Sequence, residues 1–85
     1  MKIEIEVPDY NENVGFVSEW EEDYEIKVID TKDYIEIYAN KDGLISLAKH
    51  FLNLAQDAFP KAYHLHYDDS NSLEEGSKHL IMCKL

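Results

Sequence analysis

One stretch of the chain alone carries a helical period, and it has period-two segments on both sides. Leu44, Leu47, Ala48, Phe51, Ala55, Ala58 and Phe59 recur at steps of three, four or seven, which marks one apolar stripe of an amphipathic helix. Asn40 or Asp42 is placed to cap its first turn, and Pro60 stops it at or just before Phe59. The opposite face carries Lys49, Asn53, Gln56 and Asp57, so the pattern predicts burial of one side only.

Everything else reads as strand or loop. Ile3, Ile5 and Val7 alternate with Lys2, Glu4 and Glu6, and Pro8 ends that run. Pro8 to Gly15 has loop composition, and Val14 to Trp20 is a further candidate strand. Tyr24 to Ile29 and Tyr34 to Ala39 are β-branched and aromatic, with a turn-like connector, Asp30 to Asp33, that predicts a hairpin. Ala62 to Tyr67 and Lys78 to Leu85 supply two more strands, joined by a polar loop. The expected fold is α+β, a five- or six-stranded, mostly antiparallel sheet in the order β(β)ββαββ, with one helix packed on one face. At 85 residues the chain holds one domain, 1–85.

Charge narrows the function. Eighteen acidic residues face eight cations, all lysine, for a net charge of −10. Residues 1–38 hold twelve acids and three lysines, a net −9, whereas residues 39–85 hold six acids and five lysines, a net −1. With no arginine and no basic patch, nucleic acid and anionic membrane are poor partners. A basic protein surface is the complementary one. A single cysteine and the absence of a signal-like N-terminus point to a cytoplasmic setting.

The acidic aromatic run Glu19, Trp20, Glu21, Glu22, Asp23 combines an interface-type anchor with carboxylates that steer a basic partner, although Trp20 serves equally well as core. Tyr34, Glu36 and Tyr38 share one face of the hairpin and add surface of the same kind. The segment His64, Leu65, His66, Tyr67, Asp68, Asp69 puts His64, His66 and Asp68 in one row opposite Tyr63, Leu65 and Tyr67, a spacing that suits a face hydrogen-bonded to neighbouring carboxylates, a partner contact or zinc. His50 and His79 are not tied to that row by any pattern. Cys83 alternates with Ile81 and Leu85 and reads as a small core hydrophobe.

Nothing assembles a nucleophile, a carboxylate dyad or a phosphate loop, so neither an enzyme nor a cofactor is expected. A metal-binding domain or small metal-dependent enzyme built on the row His64, His66 and Asp68, and an accessory or self-associating module, are the alternatives to a binding inhibitor.

From Asn40 onward the chain resembles the immunity protein 32 family of bacterial polymorphic toxin systems. The residues that carry this are Asn40, Lys41, Asp42, Gly43, Leu44, then Leu47, Ala48, Leu54 and Ala55, the segment His64 to Asp69, and Leu73 to Ser77 before Leu80, Ile81 and Met82. The resemblance implies a cytosolic antidote that binds and occludes a cognate protein toxin, without catalysis or cofactor. The histidine segment would then take part in recognition or in defining the fold.

Overall fold

A computed structural model describes residues 1–85. The elements in chain order are β1 (Ile26–Asp30), β2 (Ile35–Ala39), α1 (Lys41–Leu54), β3 (His64–Tyr67) and β4 (Leu80–Cys83). The α+β class holds, but the single large sheet does not. β1 pairs only with β2 and β3 only with β4, giving two separate two-stranded antiparallel sheets.

The outer edge of β1 explains why the sheets stay apart. It is occupied by the loop after β3, where Glu74 N–H donates to the Ile26 carbonyl, Lys78 N–H to the Val28 carbonyl, and Val28 N–H to Ser77 Oγ. A loop thus satisfies the edge that a third strand would have used.

Residues 2–7 and 14–20 form no strand. Their alternation defines a face, but neither segment pairs with a strand of either sheet. The stretch from Pro8 to Glu25 is held instead by side chains of α1 and its flanking residues. Gln56 donates to the Pro8 carbonyl and accepts from Tyr10 N–H. Asn53 donates to the Val17 carbonyl, His50 to the Glu19 carbonyl, and Ser46 Oγ accepts from Glu21 N–H at 2.8 Å. Asp42 accepts from Asp23 N–H, and Asn40 bonds both the Asp23 carbonyl and Glu25 N–H. Positions 42, 46, 50, 53 and 56 lie at helical steps of three or four, one ridge of the helix. They read successive backbone groups of an extended segment running antiparallel to it.

This ridge turns the helix over relative to the sequence expectation. The buried residues of α1 are Gly43, Ser46, Leu47, His50, Asn53 and Leu54. Leu44 is 60% exposed and Phe51 39%, so much of the predicted core stripe faces outward. Satisfying a row of backbone groups outweighs burial of a few apolar side chains, because each unpaired buried polar group costs about 1–3 kcal/mol. No buried side-chain polar atom is left without a partner.

The helix also stops at Leu54, short of Phe59. Gln56 N–H bonds the Asn53 carbonyl, tightening the chain, and Pro60 disfavours helical geometry just before it. Phe59 is thereby turned into an aromatic group with Tyr10, Phe16 and Tyr63.

The main core joins Ile26, Val28, Leu47, Tyr67 and Leu73, with Trp20, Tyr24, Leu65, Leu80 and Met82 packed against it. Leu80 and Met82 occupy the inner face of β4, so Cys83 faces out with Ile81, contrary to its expected core position. Gly43 allows α1 to sit against the first sheet: a Cβ there would lie 2.5 Å from the Glu25 carbonyl oxygen and 2.9 Å from Ile26 Cγ1.

His50 is 2% exposed and is the only buried ionisable member of the ridge. Its Nε2 faces the Glu19 carbonyl, which only accepts, so Nε2 carries the proton and Nδ1 accepts from the Tyr67 hydroxyl at 2.9 Å. Burial holds its pKa below the ordinary value, with Glu19 working weakly the other way, and burial pushes Tyr67 up to about 12. The neutral ring is the folded form.

Two outcomes follow from this packing. Gly43→Ala is expected to cost about 1–3 kcal/mol through overpacking, although alanine is the better helix former by roughly 1 kcal/mol; urea unfolding measures the difference. For His50, the unfolded chain binds more protons than the native one once pH drops below the ordinary imidazole value of 6.5. Its contribution is therefore complete above that pH and is lost as pH falls through the depressed native value. Unfolding midpoints between about pH 7.5 and 5 should fall more steeply in the wild type than in His50→Gln.

Candidate functional site

The acidic aromatic segment divides into anchored and free residues. Trp20 stacks on Tyr24 with ring centroids 4.3 Å apart and meets His50 and Tyr67 edge-on. It is half-buried and belongs to the packing of the core. Glu21 is tied by its amide to Ser46 and by its carboxylate to Lys49 at 2.8 Å. That ion pair holds the Lys49 pKa above its ordinary value. Glu19, Glu22 and Asp23 project into solvent, and none of their carboxylates forms an ion pair. Their backbone is held firmly while their charge is left free.

The histidine strand turns out differently from the expected row. His64 and His66 are exposed on the outer face of β3, whereas Leu65 and Tyr67 point to the core. His64 Nδ1 bonds the Ala62 carbonyl. His66 Nδ1 lies 2.8 Å from Nε2 of His79, which the strand pairing brings alongside, so one ring donates and the other accepts. Asp68 does not extend the row as a ligand. Its Oδ1 accepts from Ser70 N–H, Ser70 Oγ and Asn71 N–H, forming a tight loop and holding its pKa below the usual carboxylate value. Asp69 accepts from Gly76 N–H and ties the same loop to the polar stretch after it. No group of three or more His, Cys, Asp or Glu side chains is placed to hold a metal ion.

A shallow cavity of about 300 Å³ joins the first two regions, lined by Phe16, Ser18 and Trp20 on one wall and the strand from His64 to Tyr67 on the other. Candidates more than forty residues apart in sequence thus share one concave surface. The third set stands on the outward face of the first hairpin, where the Tyr38 hydroxyl donates to Glu36 at 2.8 Å and that carboxylate raises the tyrosine's pKa. Tyr34 and Tyr38 are 61% and 53% exposed.

The residues that pattern reading passed over are Ser46, His50, Asn53 and Gln56. Their spacing of four, three and three was visible, but polar residues at helical spacing read by default as a solvated face.

The family model for Immunity protein 32 matches residues 34–85, from the hairpin's second arm to the last residue. Neither a curated protein nor a solved structure matches the chain.

The division between anchored and free residues is measurable. Trp20→Ala should cost about 2–4 kcal/mol by truncating a half-buried aromatic cluster. Glu22→Lys and Asp23→Lys should stay within about 0.5 kcal/mol of wild type, as read by urea unfolding.

Proposed function

The chain belongs to the Immunity protein 32 family, and we propose that it acts as an antidote, binding a cognate toxin protein and blocking it without a catalytic step or cofactor of its own. The family match carries this reading. The charge indicates the kind of toxin. Eighteen carboxylates are accompanied by only two ion pairs, so most of the negative charge is available to a partner. A basic toxin surface fits best, such as the groove with which a nuclease holds its polyanionic substrate. An acidic protein without arginine competes for such a groove and has no affinity for the nucleic acid itself.

Glu19, Glu22 and Asp23 are the steering charges in this reading, drawing a basic partner in through their field. The antidote acts in the cytoplasm, in keeping with a lone cysteine and with no helix long and apolar enough to cross a membrane.

Co-expression with the toxin domains encoded in the source genome tests the reading directly. Growth should be restored by the wild-type chain. In stopped-flow association, the on-rate should fall by about tenfold or more between low and high salt, and Glu22→Lys with Asp23→Lys should lower it further. Toxicity undiminished by the chain contradicts the antidote reading, and a salt-independent on-rate contradicts electrostatic steering.

A further inference from the structure

Two unpartnered features lie on the flank of the molecule away from the N-terminal segment. The first is the outer edge of β2. Thr31 N–H donates to the Tyr34 carbonyl and Asn40 N–H to the Glu25 carbonyl. In the antiparallel register, the residues bonded to β1 are therefore 34, 36, 38 and 40, and the amides of Ile35, Ile37 and Ala39 point outward. No backbone or side-chain group of the chain meets them. Natural sheets blunt such edges with lysine, proline, bulges or a covering segment, and β2 has none of these.

The second is the apolar stripe of α1 formed by Leu44, Ala48, Phe51 and Ala55. At 100° per residue it lies on roughly the opposite side of the helix from the polar ridge, with Gly43, Leu47 and Leu54 between them facing the sheets. The ridge side holds the N-terminal segment, which extends toward β3 through Trp20 and Tyr67. The stripe therefore faces the β2 side. Ile35 and Ile37 are 53% and 50% exposed and share the helix-facing side of the hairpin, because Ile37 pairs with buried Val28. An open strand edge and an exposed apolar helix flank thus adjoin.

Resting on the antidote reading, we propose that this flank is where the toxin docks: an extended segment of the toxin adds to β2 as a further strand, its apolar side chains seated against Ile37, Leu44 and Phe51. Main-chain bonds to the amides of 35, 37 and 39 supply affinity, and the stripe supplies specificity. The occupant is a cationic partner and not a second copy. Between residues 30 and 42, Asp30, Asp33, Glu36 and Asp42 outnumber Lys32 and Lys41, and two chains of net charge −10 would meet with like charge opposed. A standard interface of about 800 Å² per partner would use roughly an eighth of the chain's 6301 Å².

Binding of the purified chain to the toxin domain identified by that co-expression, measured by calorimetry, tests this. Ile37→Pro removes one outward amide without touching the bonds to β1, and the double variant Leu44→Ser, Phe51→Ser removes the apolar contact at exposed sites. Each should weaken binding by about tenfold or more, with circular dichroism unchanged; should Ile37→Pro not fold, the helix variant decides. Affinity within twofold of wild type in both variants overturns the docking proposal and leaves the antidote reading standing. A wild-type chain that does not bind the toxin removes the antidote reading and the proposal with it. A wild-type dimer by light scattering that Ile37→Pro converts to a monomer also overturns it, since a second copy would then be the occupant.

Discussion

The structure depends on a polar ridge. Asp42, Ser46, His50, Asn53 and Gln56 form one line along α1 and bind backbone groups from Pro8 to Asp23. An extended chain with no neighbouring strand must place its amides and carbonyls somewhere, and here a helix serves in place of a strand edge. His50 is the central contact. One neutral imidazole joins the helix, the Glu19 carbonyl and the Tyr67 hydroxyl, so the acidic segment, the helix and the second hairpin are held through a single ring.

Two consequences reach the surface. With the ridge turned inward, the carboxylates of Glu19, Glu22 and Asp23 are displayed on a fixed backbone and not on a loose tail. With the same turn, the apolar stripe of α1 is carried outward beside the open edge of β2. Charge and apolar contact surface therefore occupy different flanks. Long-range steering tolerates that separation, because an electrostatic field acts over a Debye length while strand addition needs direct contact.

What the sequence made legible was local. The hairpin from Tyr24 to Ala39 and the helix start at Asn40 lie where periodicity and turn chemistry put them, within one or two residues. Partnering was not legible. Ile3, Ile5 and Val7 alternate as a strand should, yet they pair with no strand of either sheet. The burial of Ser46, His50 and Asn53 depends on a segment distant in sequence, and hydropathy at those positions argued for the opposite face. His66 and His79 meet only because the β3–β4 register aligns them, and Asp68 leaves the row because the turn to Asn71 engages its Oδ1.

The claim that α1 turns its polar ridge inward and leaves β2 unpaired is tested most directly by residue-resolved amide hydrogen exchange. In the free chain, the Glu21 amide, bonded to Ser46 Oγ, should exchange slowly, while those of Ile35, Ile37 and Ala39 should exchange rapidly beside the protected amides of Glu36 and Tyr38. Rapid exchange at Glu21 together with protection at Ile37 would contradict the account, because the N-terminal segment would then be unheld and the edge already occupied.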